Sequence, residues 1–470
     1  MIVTSRAIAA GGLVAVTALA GASWSRDARA AGFATAHFGG EQGTVVATNP
    51  TALYYNPAGI GFSKGTDIFL DGQLALRGAS WDHALAPTDP TVPPDVAGAN
   101  SGTAHLLNVF GAPALGATTK LGNLALGLGL FVPFGGRESW QQNQQFVNSQ
   151  YNLAAAGVQR WHVIDGALTF IYTTVGAAYR FGPLSIGVTG NLILSSISFS
   201  QARNPDGPGT PDTTREGRAS LDVSGVTGSF GAGAMLEVVP DRLWLGASYQ
   251  SQPNMGPQTM NGTLDITTPY AMPPGNLSSK VSFTQALPDI TRLGARWRVR
   301  DDVELRLFGD FTRWSVNQTQ CVSNQGSPCA VYADGSDATP SGTTIANYRR
   351  NWNNTYGVRV GGSYWVKPGI ELFAGTGFET AAVPDATLEP SLADADNILI
   401  SGGARLLVAN WFYLGLSYTQ IVFFDRDNTG KSDLATQAGQ PVAYPTLQQD
   451  GGGKYTQWIG FLDVNVEKTF

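Results

Sequence analysis

The 470-residue sequence predicts an all-β protein, a 14-stranded antiparallel transmembrane β-barrel with an N-terminal hatch plugging the lumen. Three observations lead to this prediction: a leader typical of exported proteins, apolar residues that alternate with period two along most of the chain, and connections that alternate between short and long. They divide the chain into a signal peptide at 1–30, a hatch at 31–65 and a transmembrane barrel at 66–470.

The first thirty residues have the pattern of a secretory signal peptide. Arg6 precedes a mostly apolar run at 7–22, and Ala28-Arg29-Ala30 forms a small-residue cleavage site. A retained membrane anchor is the alternative, although the apolar run is short for a span. Because no later stretch reaches the roughly 18 uninterrupted apolar residues that a membrane helix needs, the mature chain is either an exported soluble protein or a β-barrel.

After the leader, a stretch without alternation precedes a long series of alternating segments. Residues 31–65 are rich in Gly, Ala, Thr and Asn, show no long alternating run, and lie where they could fold back into a barrel. In the later stretch PLSIGVTGNLILS (183–195), apolar side chains occupy alternate positions from Leu184 to Leu194. Many such segments exceed the five or six residues usual in soluble strands, which favours a barrel over a soluble sandwich.

The predicted strands number 14, an even count that puts both ends of the barrel on the periplasmic side. Their bounds are 66–78, 104–120, 123–133, 167–181, 184–199, 217–239, 242–251, 277–300, 303–318, 351–366, 370–382, 397–408, 411–426 and 454–470. Pro288 predicts a bend or bulge in the eighth strand, because proline cannot donate a ladder hydrogen bond. Phe470 ends the last strand and resembles the signal read by the barrel-assembly machinery, although Lys468 departs from the apolar pattern.

Short and long connections alternate along these strands. Two- or three-residue joints such as Gly122-Asn123 and Gly182-Pro183 are separated by long polar loops. The loops are predicted near 79–103, 134–166, 200–216, 252–276, 319–350, 383–396 and 427–453. Tight periplasmic turns and long external loops are typical of outer-membrane barrels.

Composition excludes some classes of function and is compatible with a barrel. The formal net charge is −6 and no basic patch is visible, so nucleic acid is not an expected partner. The mean hydropathy of −0.04 is too low for a helical membrane protein but fits a barrel whose lipid-facing and lumen-facing residues average out. Outer-membrane lipids are therefore expected around the protein, which we expect to be a monomer.

The two cysteines, Cys321 and Cys329, bracket the turn-rich stretch CVSNQGSPC. In an oxidising compartment a disulfide that closes this loop is favoured. Two free thiols or a metal-binding pair are the alternatives, but no His-rich or Cys-rich partner supports a metal site. No cofactor is predicted.

Three stretches resemble the FadL/TodX (OmpP1) family of outer-membrane transporters: the mature start AGF, the following TALYYNPAGI and the later GLGLFVPFG. The resemblance implies a 14-stranded barrel, an N-terminal hatch with an Asn-Pro-Ala signature, and passive transport of long-chain fatty acids or other hydrophobic compounds. It also implies that Phe33, near the tip of the mature chain, helps to close an internal binding pocket. On this view Asn56, Pro57 and Ala58 form the hatch motif; an ordinary loop is the alternative.

Two groups of side chains are candidates for contact with a hydrophobic ligand. Trp140, Phe146 and Trp161 lie in a long external loop, where an exposed apolar cluster would form a landing site; the alternative is that they pack the loop against its neighbours. Arg292 and Arg359 are inward-facing and far from the periplasmic turns, so either could hold a carboxylate head group. The alternative for each arginine is a structural ion network.

Three other readings of the barrel compete with passive transport of hydrophobic compounds. A porin-like channel for polar solutes would have no plug, and a purely structural or adhesive barrel would not need the hatch motif. A barrel enzyme is disfavoured, because the histidines His37, His83, His105 and His162 are isolated and no serine motif accompanies them. No catalytic residue is predicted.

Overall fold

The computed structural model describes residues 37–84, 96, 98–204, 212–270, 274–329, 343–434 and 448–470. The predicted signal peptide and Phe33 lie outside these residues. Within them, no helix is both long enough and apolar enough to cross a membrane.

The described residues form one antiparallel sheet that closes on itself as a barrel of 14 strands, as predicted. Asp67 to Asp82 of the first strand pair with Thr469 to Lys454 of the last. The strands are β1 (Thr66–His83), β2 (Gly102–Leu121), β3 (Leu124–Ser139), β4 (Asp165–Phe181), β5 (Leu184–Arg203), β6 (Gly217–Val239), β7 (Leu243–Gln250 and Gln258–Thr268), β8 (Gly275–Gln285 and Ile290–Arg300), β9 (Val303–Thr312 and Thr319–Asn324), β10 (Thr344–Arg349 and Thr355–Lys367), β11 (Ile370–Glu379), β12 (Asn397–Val408), β13 (Phe412–Phe423 and Arg426–Asp427) and β14 (Lys454–Thr469).

Among the residues that the structure describes, helical structure is confined to short segments. The one α-helix there, α1, spans Ala52–Tyr55. The 3₁₀ helices span Gly40–Gln42, Pro57–Phe62, Gln144–Phe146, Asn152–Ala156, Val158–Trp161, Thr213–Arg215, Pro253–Met255, Trp314–Val316, Asp385–Thr387 and Pro390–Leu392.

Strands β7 to β10 are each interrupted at about the same level of the barrel. Around the interruption in β8, pairing with β7 stops at Ile290↔Gln250 and resumes at Gln285↔Gln258. Pro288 lies in this interruption, where the sequence predicts a bend. The predicted loops 252–276 and 319–350 are therefore wrong in part, because strand segments of β7, β9 and β10 extend through them. None of these segments carries an exposed large apolar side chain, so they lack the apolar residues on the outer face that mark the membrane-crossing part.

The outer face of the membrane-crossing part is apolar. In β5 the alternate residues Ile186, Val188, Leu192 and Leu194 are exposed, as expected of side chains that face lipid. In β8 Leu293 is exposed while the neighbouring Arg292 is buried inside. The predicted assignment of faces is thus the observed one.

The short turns follow from their residues. Gly122 and Gly182 have φ of 66° and 58°, a left-handed conformation that glycine adopts without strain. Each begins a two-residue connection, β2 to β3 and β4 to β5. At the other end of the barrel, a disulfide joins Cys321, within the second segment of β9, to Cys329; the two Cα atoms are 6.3 Å apart.

Residues 37–65, here called the inner segment, lie in the lumen. Ser185 of β5 donates a hydrogen bond to the Ala58 carbonyl at 2.7 Å, and Ser401 of β12 donates to Glu41 at 2.6 Å. Because β5 and β12 stand half a turn apart in a 14-stranded barrel, a segment that bonds to both must cross the interior. Apart from exposed Lys64, its residues are buried or half-buried.

Candidate functional site

The Asn-Pro-Ala motif fastens the inner segment to the wall at β6. The fully buried Asn56 side chain donates from Nδ2 to the carbonyls of Val45 at 2.8 Å and Ala234 at 3.1 Å. Its Oδ1 accepts from the Ala58 amide at 3.2 Å and so caps the 3₁₀ helix that Pro57 begins. A proline fits this first helical position because it has no amide hydrogen to leave unpaired.

The wall is shaped to receive this side chain. A Cβ added at Gly233 of β6 would lie 2.0 Å from Asn56 Oδ1, so a larger residue there would displace the amide. On the opposite side of the lumen, Gln42 donates to Glu371 of β11 at 2.7 Å. The inner segment is therefore held at both sides by specific polar contacts.

A cavity lies between the inner segment and the external loop 380–396. Its volume is about 1210 Å³, counting space open to solvent. Aromatic side chains form much of its lining: Tyr54, Tyr55, Phe308, Trp314, Trp352, Phe423 and Phe461. Polar and charged side chains, Arg292, Asp310, Arg359, Glu379 and Asp394 among them, also line it. A concave site with both aromatic and polar groups has the character of a small-molecule site.

Arg292 and Arg359 both line this central cavity. Buried Arg292 stacks over Tyr54 at 4.7 Å and makes hydrogen bonds of 3.4 Å to Gln250 Oε1 and the Tyr54 carbonyl. Half-buried Arg359 lies over the ring of Phe308 at 5.4 Å. Neither guanidinium forms a salt bridge with any residue that the structure describes, although the carboxylates of Asp310, Glu379 and Asp394 also line the cavity.

Other arginines of the barrel wall are paired. Glu304 lies 3.2 Å from Arg306 and 3.9 Å from both Arg296 and Arg298. Arg405 of β12 pairs with Glu371 of β11 and Glu467 of β14. The structural ion network is therefore present in the wall, and it leaves out the two arginines of the central cavity.

The wall is incomplete between β2 and β3. The two strands pair from Leu121↔Leu124 to Leu115↔Leu130 and meet again at the bridge Leu106↔Trp140. Between these points β3 contains Pro133, and its register against β4 shifts between Phe131 and Phe134. The interval 107–114 of β2 thus faces 131–138 of β3 without strand pairing, which makes a lateral gap in the wall.

Aromatic rings separate this lateral gap from the central cavity. Phe131 lies 5.2 Å from Phe38 and 5.8 Å from Tyr54, both of the inner segment. Phe134 lies 6.2 Å from Trp314, which lines the cavity. The partition thus consists of rings from the wall and from the inner segment, so a displacement of the inner segment would remove part of it.

The comparisons with known proteins agree with this architecture. The model of the outer membrane protein transport protein family (OMPP1/FadL/TodX) matches residues 11–440. The chain belongs to this family. Outer membrane protein NMB0088 of Neisseria meningitidis serogroup B is 24% identical over 397 residues, which cover 80% of this chain and 81% of the relative.

Solved structures of the FadL/TodX family have the same fold. A Pseudomonas aeruginosa FadL homologue superposes with a TM-score of 0.72 at 17% identity, covering 94% of this chain and 100% of the homologue. The P. putida toluene transporter TodX gives a TM-score of 0.61 at 13% identity, covering 94% of this chain and 99% of TodX. The protein is thus a member of an outer-membrane family that transports hydrophobic compounds.

One expectation about this FadL/TodX barrel is wrong. Trp140, Phe146 and Trp161 do not form an exposed apolar surface, because all three are buried. The indole nitrogens of Trp140 and Trp161 donate to Glu138 and Asn100, each at 2.9 Å. Phe146 packs in a cluster with residues of the same loop and of the 96–99 stretch. The three rings hold the loop together, which is the alternative that the sequence left open.

Several residues of the site escaped the sequence-based predictions. Tyr54 and Tyr55 immediately precede the Asn-Pro-Ala motif, and this position is the feature of the sequence that could have indicated a role in the site. Trp314 and Trp352 stand at the strand interruptions in polar surroundings, and their rings are 5.0 Å apart. Each is a single tryptophan in a polar stretch, which could have marked it as a candidate site residue. No local feature of the sequence indicates that the two rings pack together.

Proposed function

We propose that this protein carries long-chain fatty acids or other hydrophobic compounds across the outer membrane by facilitated diffusion. Membership of the FadL/TodX family supports transport of hydrophobic compounds in general. The observation that carries the choice of an acid is the pair Arg292 and Arg359, two guanidinium groups without a salt bridge to a described residue in an aromatic-lined cavity. A carboxylate with an apolar tail matches both parts of that lining.

In this mechanism the substrate enters the central cavity from the external side and leaves through the lateral gap. The partition of Phe131, Phe38 and Tyr54 blocks the way between the two in the structure described above. A shift of the inner segment, acting as the hatch, withdraws Phe38 and Tyr54 and joins cavity to gap. Flow follows the concentration gradient, so no energy source is required.

A neutral aromatic hydrocarbon is the second candidate substrate. Tyr54, Trp314 and Trp352 supply ring faces to the cavity, and Asp310 and Glu379 place negative charge near the two arginines. A toluene transporter is among the proteins of the same fold. The charge of the substrate therefore distinguishes the two candidates.

A binding experiment decides between them. In purified protein, the double variant Arg292→Met/Arg359→Met should bind a long-chain carboxylic acid about 10- to 100-fold more weakly, because charge-assisted hydrogen bonds contribute about 1.5–3 kcal/mol. Binding of the methyl ester of the same acid should not change. The control Arg300→Met removes an exposed arginine of the same strand, which is paired with Asp302, and should affect neither ligand. Equal weakening of acid and ester would show that the two arginines are structural.

A further inference from the structure

Four buried oxygen atoms on the inner face of three adjacent strands lack a hydrogen-bond partner among the residues that the structure describes. They are Asp71 Oδ1 and Gln73 Oε1 of β1, Ser417 Oγ of β13 and Asp463 Oδ2 of β14. Each of the four residues is no more than 5% exposed. Buried polar side-chain atoms usually have a partner, so a group of four without one requires a physical explanation.

The strand register brings these side chains to one place. Asp463 is paired with Gln73 on one side and with Ser417 on the other, and the Cβ atoms of such pairs are about 4.5–5.5 Å apart. Asp71 lies two residues before Gln73 and therefore points to the same face of β1. The Gln73 amide donates to Asp463 Oδ1 at 2.9 Å, which holds the whole amide group beside that carboxyl group.

The inner segment covers this group with the turn Gly39-Gly40. The Gly39 amide donates to Asp71 Oδ2 at 2.8 Å. A Cβ added at Gly40 would lie 2.1 Å from Ser417 Oγ and 3.9 Å from Asp463 Oδ2, so both oxygens lie directly against the turn. The two glycines have φ of 73° and 55°, a left-handed conformation that brings the backbone close to the wall.

The two carboxyl groups also lack a positively charged partner. Neither Asp71 nor Asp463 forms a salt bridge with a residue that the structure describes, although they are close enough to act on each other electrostatically. An unpaired buried charge is costly, and two of the same sign repel each other. A shared proton would satisfy at most two of the four oxygens, whereas a cation can contact all of them.

The composition of the group suits a hard cation. Ca²⁺ binds carboxylate oxygens, amide carbonyl oxygens and water in a flexible geometry, and serine hydroxyls also serve as ligands of divalent ions. No cluster of three or more His, Cys, Asp and Glu residues that could hold a metal occurs in the described part of the chain. This group has two carboxylates, whose charge a divalent ion balances, and completes its set with neutral oxygens.

We propose that Asp71, Gln73, Ser417 and Asp463 form a binding site for a divalent cation of the calcium type beneath the turn Gly39-Gly40. The four unpartnered oxygens are its protein ligands, and water completes the six to eight oxygens that Ca²⁺ takes. The ion joins β1, β13 and β14 and steadies the inner segment, because Asp71 binds the ion with one oxygen and the Gly39 amide with the other. The site is independent of the transported substrate and of the proposed function.

Calorimetric titration of the purified protein with Ca²⁺ tests the site, after metal has been removed with a chelator in a non-ionic detergent. We expect one saturable site in the native protein. Asp463→Asn and Asp71→Asn should each weaken it by about tenfold or more, since even the loss of an outer-shell partner typically costs 10- to 100-fold in metal affinity. The control Asp67→Asn alters a buried carboxyl group of the same strand and face, which accepts from Thr469, and should keep the native affinity.

The folded state of each variant is checked by the heat-dependent shift of its mobility on a detergent gel. Because asparagine has nearly the shape of aspartate, the barrel should fold in all three variants. Saturable binding with the native affinity in both Asp463→Asn and Asp71→Asn would place the ion elsewhere and overturn the proposal.

Hydrogen exchange of the inner segment gives a second readout. If the turn must open for the ion to leave, Ca²⁺ at 100 times its Kd should slow exchange of the Gly39 amide by up to about 100-fold. Asp463→Asn keeps the hydrogen bond between Gly39 and Asp71 but removes a ligand of the ion, so the effect of Ca²⁺ should disappear. Exchange of the Asn191 amide in β5, far from the site, should not respond to Ca²⁺ in either protein.

A proton shared by Asp71 and Asp463 is the rival explanation of the group. It predicts no saturable Ca²⁺ binding that depends on these residues, and an exchange rate at Gly39 that Ca²⁺ does not change. That result would overturn the cation site and leave the proposed function untouched, because the titration and the exchange measurement involve no transported substrate.

Discussion

Among single residues, Asn56 contributes most clearly to the position of the inner segment. Its buried amide makes hydrogen bonds with the carbonyls of Val45 and Ala234 and with the Ala58 amide. The motif could be found in the sequence because Asn-Pro-Ala encodes a local turn. Its bond to Ala234 joins residues 178 positions apart, and no local pattern predicts such a contact.

Replacing Asn56 tests this role. Asn56→Ala should reduce the protection of residues 37–65 against hydrogen exchange by an amount equivalent to about 1–3 kcal/mol, because buried carbonyls lose their donor. The barrel itself should remain folded, since its strand pairing is untouched. Asn123→Ala, in an exposed turn, is the matched control. Unaltered exchange in the inner segment of Asn56→Ala would show that the motif does not anchor it.

Arginine and aromatic residues differ in how well the sequence reveals their roles. Arg292 and Arg359 could be singled out because strand alternation fixes which side chains point inward, and turn positions fix their height. The buried state of Trp140, Phe146 and Trp161 could not be inferred in this way. It depends on how an irregular loop folds over Val96, Ala99 and Asn100, and loops lack the periodicity that reports burial.

Among the elements, the pair β2 and β3 has the most direct bearing on transport. The membrane-crossing strands could be located from alternation, since lipid on one side demands apolar residues at every second position. Pairing between particular strands carries no such signal. The stretch FVPFG marks the place where β3 separates from β2, because Pro133 cannot donate a hydrogen bond to a neighbouring strand. The length of the unpaired interval cannot be inferred from this stretch, because it depends on how all the strands of the barrel pair.

Occluding the lateral gap should slow transport. Ala112 of β2 lies in the unpaired interval, points inward with Phe110 and Ala114, and is half-buried. Ala112→Trp should therefore reduce uptake of a hydrophobic substrate several-fold in cells, at equal amounts of folded barrel in the outer membrane. Ala117→Trp places the same ring on the lipid-facing side of the same strand and should leave uptake unchanged. Equal uptake by both variants would show that the substrate leaves by another route.

At the scale of the whole molecule, the barrel provides a path that aromatic rings close. The rings of Phe131, Phe38 and Tyr54 lie between the central cavity and the lateral gap. The inner segment thus occupies the lumen that a water-filled porin would leave open.

Uptake by intact cells tests this account most directly. A strain lacking the gene, and the same strain carrying the native protein, are supplied with a labelled long-chain fatty acid, labelled toluene and a labelled sugar at low concentration. We expect the native protein to restore uptake of the fatty acid and to leave uptake of the sugar unchanged; restored toluene uptake in its place would select the second candidate substrate. Restored sugar uptake with no gain for either hydrophobic compound would contradict the account and favour a porin.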